Sequence, residues 1–506
     1  MPQSLAELLQ AVDPTQIVDI QGDLGRTLQA TIVEDIDQLQ AGGAFIARQG
    51  AQFDGHDFIH LALERGASAI FGEKEIPAIP VPYIRLSNLQ QQIGLLSAAY
   101  HGVPARQLTL FGVTGTDGKT TTSHMLYQIL KQKYPRKVGL VSTLMAFCGE
   151  QGEETGLHVT SPPAPQLQAY LARMVANGLT HAVLEMTSHG LAQGRLQGVE
   201  LAAAVITNIQ HEHLDYHGSW EDYRRAKGRI FTYLKSPHGF RVLNADDEAS
   251  QLFRIEPFHT FGSAESAHYR VQRSHETSSG IEVQLKTPET TMEIHSPLAG
   301  RYNAANVAAA VAAADPFMEG DGQLVIWGIA ELRSLPGRME AIEEGQEYRA
   351  YVDFAHTPAA LKEALNSAKR KLTGEERLCV VFGSAGLRDV AKRKMMARIA
   401  SELSDYAVLT AEDPRTESLQ DILRDMASAC QEQGGVEGVD FVRIPDRGLA
   451  LLHACQWART DDMVIACGKG HEQSMCFGTT EYPWDDRMAL RSAIRGISIQ
   501  NLPTAN

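Results

Sequence analysis

The segment 108–130 constrains the fold of this chain more than any other part of the sequence. It reads LTLFGVTGTDGKTTTSHMLYQIL: an apolar stretch typical of a buried strand, then a glycine-rich turn and a helical segment. A tight glycine turn at a helix N-terminus lets backbone N–H groups and the helix dipole surround phosphate oxygens. In such loops a lysine neutralises the outer phosphates, and the hydroxyl of the next residue binds Mg²⁺. The sequence therefore predicts an ATP-type phosphate site at Lys119 and Thr120.

The spacing of this loop departs from the common pattern GxxxxGK[ST]. Counted from Gly112, five residues precede Gly118, and Val113 stands where the pattern has its first glycine. The alternative is a plain strand–turn–helix connection. The strand before the turn, the helix after it and the intact GKT favour the nucleotide site.

Strand and helix signals alternate along the rest of the chain, as in THAVLEMTSHG, LAAAVITNI and GFRVLNADD. This alternation predicts an α/β protein with largely parallel sheets covered by helices. The length of 506 residues suffices for three or four domains of ~150 residues. We expect three: a smaller α/β N-terminal domain (1–103), a central P-loop-type ATPase domain with a mostly parallel sheet (104–336) and a Rossmann-like C-terminal domain (337–506).

Three predicted strands of the last domain end in polar or glycine-rich clusters. They read RLCVVFGSAG, YAVLTAEDPR and DMVIACGKGHE. In an open parallel sheet, ligands gather at the carboxyl ends of the strands. We therefore expect a binding site where these three clusters meet.

Composition limits the classes of partner. A net charge of −15 and a pI near 5.6 argue against a general binder of nucleic acids or anionic membranes. The N-terminus lacks the features of a signal peptide, and no apolar run approaches the ~20 residues that span a bilayer. Six cysteines without a CxxC pair predict reduced thiols. We expect a cytoplasmic protein with no membrane insertion.

The stretch QHEHLDYHG, residues 210–218, has the composition of a metal site. On a strand, His211, His213 and Asp215 would share one face, as zinc ligands require. Structural zinc sites, however, mostly combine Cys with His, and no cysteine lies nearby. Zinc is therefore the weaker alternative for this cluster.

Several motifs occur in an order that resembles the Mur ligases, the ATP-dependent ligases of peptidoglycan precursor synthesis. They are GVTGTDGKTTT, LEMTSHGL, TNIQHEHLDYHG, YRRAKGRIF, GRYNAAN, LPGRME and VDFAHTP. In the last domain, GLRDVAKR, EDPRTE and GKGHE narrow the resemblance to the member that adds the third residue of the stem peptide. The resemblance covers nearly the whole chain and is weakest in the N-terminal domain.

The resemblance implies a reaction in two steps. ATP phosphorylates the free carboxylate of UDP-N-acetylmuramoyl-L-alanyl-D-glutamate, and the amine of a diamino acid then attacks the acyl phosphate. Phosphoryl transfer depends mostly on positioning and charge neutralisation, so cations should converge on the γ-phosphate.

The resemblance also implies catalytic roles. Lys119 acts on the phosphates, and Thr120 binds Mg²⁺. Glu185 and His213 hold a second Mg²⁺ between the γ-phosphate and the substrate carboxylate. Lys227 reacts with CO₂ to form a carbamate that helps to hold this ion, which requires a lysine of depressed pKa. His211 receives no role. Asp215 and His217 would either bind a ligand or orient the loop, and the second is the favoured role.

The implied binding residues form three sets. The nucleotide would contact Gly115, Thr116, Asp117, Gly118, Lys119, Thr120, Thr121, Asn303, Asn306, Arg338 and Asp353, with His356 close by. The UDP-linked substrate would contact Thr160, Ser161, Thr187, Gln193 and Arg195. The amino acid would contact Arg388, Glu412, Asp413, Pro414, Arg415, Gly468 and Glu472.

The identity of the added amino acid depends on a departure from the family pattern. Relatives that add meso-diaminopimelate carry DNPR, and this chain has Glu412-Asp413-Pro414-Arg415. Arg415 suits the distal carboxylate of diaminopimelate, whereas the extra charge of Asp413 favours the ammonium of L-lysine or L-ornithine. Because an unpaired buried arginine would be costly, we expect meso-diaminopimelate and keep the other two as alternatives.

Other departures affect the substrate sites. Where relatives have a DSR-like stretch against uridine, this chain has VEDID, so Asp35 receives no role and the loop 50–55 is expected on the uridine side. Asp117 and Thr187 replace a common Asn and a common Ser. The rival functions are a folylpolyglutamate or cyanophycin synthetase and a non-catalytic nucleotide-binding regulator; the UDP-side residues, GKGHE and the complete catalytic set disfavour them.

Overall fold

Three large β-sheets organise the chain, each covered by helices. The structure, a computed structural model, describes residues 3–50, 53–155, 161–210, 214–277, 279–332 and 334–504. The sheets follow one another along the sequence, in the order that the alternation of strand and helix signals predicts.

The first sheet has five strands in the order β1-β5-β4-β3-β2, and β1 alone runs antiparallel to its neighbour. Its strands are β1 Ile17–Gln21, β2 Ile32–Val33, β3 Ala44–Ala47, β4 Ala69–Gly72 and β5 Tyr83–Leu86. Its helices are α1 Leu5–Leu9, α2 Ile59–Glu64 and α3 Leu89–Tyr100. The glycine after α2, Gly66, has φ +80°, which suits the helix stop expected there.

The central sheet has eleven strands in the order β16-β15-β14-β13-β12-β11-β6-β10-β7-β8-β9. They are β6 Thr109–Thr114, β7 Val138–Val141, β8 Met145–Phe147, β9 Gly152–Glu154, β10 His181–Glu185, β11 Leu201–Ile206, β12 Phe240–Asn244, β13 Phe258–Gly262, β14 Tyr269–Thr277, β15 Gly280–Lys286 and β16 Thr291–Ser296. Strands β14 to β7 in this order pair in parallel, and both edges carry antiparallel strands.

Helices cover both faces of the central sheet. They are α4 Lys119–Lys133, α5 Ala164–Ala176, α6 Ser188–Ala192, α7 Leu214–His217, α8 Trp220–Gly228, α9 Glu248–Gln251, α10 Asn303–Ala314 and α11 Gly322–Glu331. The two faces of strand β6 meet different cores: Phe111 and Val113 pack with α4 and α10, and Leu110 packs with α5. Each such buried side chain contributes roughly 1.5–3 kcal/mol. The core therefore fixes β6, and with it the start of the glycine loop.

The third sheet has six strands in the order β17-β18-β22-β19-β20-β21, parallel except for β17. The strands are β17 Glu340–Ala341, β18 Arg349–Asp353, β19 Leu378–Phe382, β20 Tyr406–Leu409, β21 Phe441–Arg443 and β22 Met463–Cys467, followed by the hairpin of β23 Ser474–Phe477 and β24 Thr480–Pro483. The helices are α12 Pro358–Arg370, α13 Val390–Leu403, α14 Leu419–Glu432, α15 Arg447–Trp457 and α16 Asp486–Ile494.

The architecture confirms the expected α/β class with three units, while the exact domain boundaries stay a prediction. The zinc alternative supposed a strand at His211, His213 and Asp215. The residues around Asp215 do not continue a strand: β11 ends at Ile206, and Leu214–His217 is a short helix. His211 and His213 lie outside the described residues. Within the described ranges, no helix is both long enough and apolar enough to span a bilayer.

Candidate active site

The glycine loop between β6 and α4 is held by the end of the neighbouring strand β11. The Thr207 hydroxyl donates to the Asp117 carbonyl at 2.6 Å, and the Asp117 N–H donates to the Asn208 side chain at 3.0 Å. A Cβ on Gly118, whose φ is +79°, would lie 2.3 Å from Asn306 Oδ1. Glycine is therefore required there, and the loop is fixed through the backbone of Asp117.

Lys119 is the first residue of α4, and its amine contacts the glycine loop. Its Nζ donates to the Thr116 carbonyl at 2.7 Å. This contact holds the cation beside the loop amides, where the helix dipole also favours an anion. The arrangement suits the terminal phosphates of a nucleotide.

Thr120, the next residue of α4, belongs to a buried cluster of oxygen atoms. Its Oγ1 donates to Glu185 Oε1 at 2.9 Å, and the Thr143 N–H donates to Glu185 Oε2 at 3.0 Å. Glu185 ends β10 and is only 2% exposed. Arg338 reaches the same cluster, because its Nη2 lies 3.3 Å from Thr120 Oγ1. A carboxylate and a hydroxyl beside a phosphate loop fit Mg²⁺, which prefers oxygen ligands and completes its shell with water and phosphate.

Lys227 on α8 contacts the first residues of the loop. Its Nζ is buried, donates to the Gly115 carbonyl at 2.6 Å and lies 4.5 Å from the centre of the Tyr223 ring. The Tyr223 hydroxyl is 2.9 Å from Thr116 Oγ1. Lys227 and Glu185 line one small cavity of about 50 Å³, together with Lys119 and Thr120. The remaining expected metal ligand, His213, lies outside the described residues.

A cavity of about 250 Å³ adjoins the loop and is suited to a nucleotide. Asn303 and Asn306, at the start of α10, line it and bond to each other at 2.8 Å. Asp353, at the end of β18, accepts the N–H groups of Met339 and Ala355. Burial raises the pKa of Asp353 above its ordinary value, although Arg338 opposes this effect. Gly118, Thr120, Thr121, Arg338, Asp353 and His356 also line this cavity.

The expected contacts to the UDP-linked substrate cluster at the start of α6. Thr187 caps this helix through Gly190 N–H, and its own N–H donates to Ser161 Oγ at 2.8 Å. Arg195 donates to Gln193 Oε1 and to the Ser161 carbonyl. The structure therefore brings these four residues together. Thr160 lies outside the described residues, and so do positions 51 and 52 of the uridine-side loop.

Asp35, which received no role, caps a short turn by accepting the Asp37 N–H at 3.0 Å. This hydrogen bond gives it a local structural function.

A third cavity, of about 380 Å³, lies at the carboxyl ends of the C-terminal strands. It is lined by six of the residues expected to bind the amino acid: Arg388, Glu412, Asp413, Arg415, Gly468 and Glu472. Pro414 is not among its lining residues; its carbonyl packs against Gly386.

The carboxylates of this third cavity differ in their partners. Asp413 accepts hydrogen bonds from Lys469 Nζ and from the Cys476 N–H, both at 2.9 Å. Glu472 also pairs with Lys469, and burial raises the pKa of Glu472 to about 7. In contrast, Glu412 Oε2 has no hydrogen-bond partner among the described residues, and burial raises the pKa of this carboxyl group as well. Lys469 therefore offsets the charge of Asp413, which was the argument for L-lysine or L-ornithine.

Several residues that shape the site received no role from the sequence. Thr143 and Asn208 hold Glu185 and the glycine loop, and Tyr223 packs on Lys227. Lys469 and His471 lie inside GKGHE, of which only Gly468 and Glu472 received roles. Asn208 is the second residue after β11, so its position at a strand end was a usable signal. Thr143 belongs to no recognisable motif.

Comparison with known proteins agrees with these observations. Residues 113–314 match the Mur ligase middle domain, residues 337–470 the Mur ligase glutamate ligase domain, and residues 37–101 the Mur ligase family catalytic domain.

Two curated relatives and one solved structure span nearly the whole chain. The UDP-N-acetylmuramoyl-L-alanyl-D-glutamate–2,6-diaminopimelate ligase of Geobacillus thermodenitrificans is 36% identical over 90% of this chain and 92% of that protein. The UDP-N-acetylmuramyl-tripeptide synthetase of Deinococcus radiodurans is 38% identical over the same shares. A solved structure of a UDP-N-acetylmuramoyl-L-alanyl-D-glutamate–2,6-diaminopimelate ligase superposes with a TM-score of 0.65 at 29% identity, covering 98% of this chain and 99% of that one. The chain therefore belongs to the Mur ligase family of ATP-dependent, ADP-forming ligases.

Proposed function

We propose that this protein attaches meso-diaminopimelate to UDP-N-acetylmuramoyl-L-alanyl-D-glutamate, with ATP and Mg²⁺, in peptidoglycan synthesis in the cytoplasm. One observation carries the proposal: the nucleotide cavity, the small central cavity and the amino-acid cavity share Thr116, Phe354 and His356 in their linings. A phosphoryl donor and an amine would thus meet at one place. The names of similar enzymes support the same pair of substrates.

In the first step, a carboxylate oxygen of the UDP-linked substrate attacks the γ-phosphorus of ATP, and ADP leaves. Lys119 and Arg338 provide positive charge where the transferred group acquires negative charge. Thr120 would hold one Mg²⁺, and Glu185 and His213, with Lys227 as a carbamate, would hold the second. When bound, these ions would neutralise phosphate charge and orient the oxygens.

In the second step, the amine attacks the carbonyl carbon, the carbon–oxygen bond to the phosphate breaks, and an amide forms. The protons of the amine go to solvent or to a base. The acceptor carboxylate would arrive from the side of Ser161 and Arg195, because Thr187, which donates its N–H to Ser161, lines the small central cavity. The amine would arrive from the third cavity.

The charges of the third cavity support a diamino dicarboxylic acid. Arg415 donates to the Gly386 carbonyl at 2.9 Å and carries further N–H donors for a carboxylate. Glu412, with its unpaired oxygen, suits an ammonium group. L-Lysine and L-ornithine remain the second candidate, because the Deinococcus relative is named as a tripeptide synthetase without a specified amino acid.

The test measures ADP release with UDP-N-acetylmuramoyl dipeptide and meso-diaminopimelate, L-lysine or L-ornithine. We expect the highest kcat/KM for meso-diaminopimelate and a loss of this preference in Arg415→Ala. The matched control is Arg424→Ala, which removes an exposed arginine of α14 that pairs with Asp421. A preference for lysine or ornithine that Arg415→Ala leaves unchanged would refute the specificity. Stimulation by none of the three would refute the ligase assignment for this acceptor.

A further inference from the structure

His471 is a buried histidine whose ring has no polar partner. The residue is 8% exposed, and neither ring nitrogen has a hydrogen-bond partner within the described part of the chain. Two other histidines of the protein are paired: His124 Nε2 lies 3.1 Å from Ser142 Oγ, and His453 Nε2 lies 3.1 Å from the Tyr406 hydroxyl. Buried polar groups in proteins are almost always satisfied. An unpaired imidazole at this depth therefore points to a ligand.

The position of His471 is fixed by its surroundings. A Cβ on Gly337 would lie 2.4 Å from His471 N, so the two backbone segments are in close contact here. The ring of His471 lies 4.8 Å from that of Phe354, and the Arg338 guanidinium lies 4.7 Å from the same phenyl ring. His471 is therefore held in one place beside Arg338.

His471 lies between two cavities. It lines the small central cavity together with Lys119, Glu185 and Lys227. It also lines a cavity of about 250 Å³ with Glu472 and Arg487. The ring thus separates the phosphate end of the site from the residues beside the amino-acid cavity.

Burial, together with the charges around the ring, keeps His471 neutral. Burial lowers the pKa of His471 well below its ordinary value, and Arg338, Arg487, Lys469 and His356 lower it further. A neutral imidazole has one N–H donor and one acceptor nitrogen. Because its protonated form is so disfavoured, the ring is a poor proton acceptor and a suitable hydrogen-bond donor to an anion.

We propose that His471 is a further catalytic residue, which donates its ring N–H to an oxygen of the phosphoryl group as that group passes from ATP to the substrate carboxylate. This inference rests on the proposed function. It adds a neutral donor to the positive charges of Lys119 and Arg338, at the face of the phosphoryl group that is turned toward the C-terminal unit. A role as general base is the competing assignment.

The experiment compares His471→Leu, which has no donor, with His471→Gln and His471→Asn, which retain a neutral N–H. We expect His471→Leu to lower kcat by roughly 10²-fold or more, as for the loss of one transition-state donor. At least one of the amide variants should have a kcat tenfold or more above that of His471→Leu, and the acidic limb of its pH profile should match that of the wild type. His453→Leu, a paired histidine of the same unit, is the control and should retain full turnover.

Two further measurements distinguish a catalytic role of His471 from a structural one. Because the ring is unpaired, His471→Leu should be at least as stable to heat as the wild type. ADP with aluminium fluoride, which mimics the phosphoryl group in transfer, should raise the Tm of the wild type more than ADP alone, and this extra shift should disappear in His471→Leu. This Tm measurement does not require the correct amino acid, so its result can contradict the role of His471 without contradicting the proposed function.

Three results would overturn the inference. The first is wild-type turnover of His471→Leu together with an unchanged extra Tm shift. The second is a loss of stability in all three variants, which would make His471 a structural residue. The third is a pair of amide variants that turn over as slowly as His471→Leu and have lost the acidic limb of the pH profile, which would make His471 a base.

Discussion

Lys469 Nζ donates a hydrogen bond to Asp413 at 2.9 Å beneath the amino-acid cavity, and the same amine pairs with Glu472. Burial alone would raise the pKa of Asp413, but Lys469 and the Cys476 N–H outweigh burial and lower it. Asp413 is therefore an ionised carboxylate whose charge is neutralised from within the protein. It does not oppose the carboxylate of an incoming substrate, as its position in the sequence suggested.

Replacing Lys469 should damage both stability and catalysis. Lys469→Met would leave Asp413 and Glu472 without their shared cation, and removing one partner of a buried ion pair typically costs about 3–5 kcal/mol. We expect a clear fall in the free energy of unfolding, measured by urea denaturation, and a higher KM for the amino acid. The control is Lys362→Met, which removes an exposed lysine of α12. Equal stability of the two variants would show that the Lys469 pairs contribute little.

Lys119→Ala should abolish ligation while the fold remains intact. A charge on the transferring phosphate is worth several kcal/mol of barrier, so kcat should fall on the order of 10³-fold or more. Lys133→Ala, at the other end of α4, removes a surface pair with Glu319 and should change little. Steady-state ADP release and the thermal unfolding of both variants provide the measurements. Turnover near that of the wild type in Lys119→Ala would contradict the role of this lysine.

Lys227→Ala should be inactive and should partly recover with added formate or acetate. A carbamate is an anion, and small carboxylates can occupy the space that the truncated side chain leaves beside Gly115. The comparison is Lys235→Ala, an exposed lysine that follows α8 and should be fully active without additives. Rates measured with and without the carboxylate decide the matter. Full activity of unsupplemented Lys227→Ala would exclude the carbamate.

Acid should destabilise the protein in part through His124, a buried residue of α4. Burial lowers its pKa to about 3, with a smaller contribution from Arg338. The unfolded chain therefore binds this proton more readily than the folded one. The resulting loss of stability begins as the pH falls below 6.5 and grows by about 1.4 kcal/mol per unit toward the folded pKa. In His124→Asn this part of the pH dependence should be missing from thermal unfolding curves recorded between pH 7 and 4. Parallel curves for the two proteins would contradict the assignment.

Much of the fold could be predicted from local patterns. Apolar runs of strand length predicted β6, β10 and β22, and the alternation with amphipathic segments predicted their parallel pairing. The antiparallel extension β14 to β16 was not predicted, because its half-exposed strands alternate polar and apolar residues and carry no long apolar run. The helix at Leu214–His217 was missed for a related reason, since four residues give no periodicity.

Only the residues of the candidate site that belong to local motifs could be predicted from the sequence. Loop glycines and Lys119 follow from local geometry, but the partners of Glu185 and Asp117 depend on β10 and β11 lying on either side of β6. Sequence order does not reveal which strands are neighbours. In the same way, the charge at Asp413 was misjudged because Lys469 reaches it from a different strand end.

The helix α10 has a consequence beyond binding. Its residues 307–314 are valine and alanine with no exposed surface, packed between the central sheet and α4, and its first turn carries Asn303 and Asn306. These small side chains set the spacing between helix and sheet, so a larger residue at one of the alanines would displace the helix and both asparagines with it. Temperature-sensitive alleles of the gene are therefore expected at these alanines, which touch no substrate.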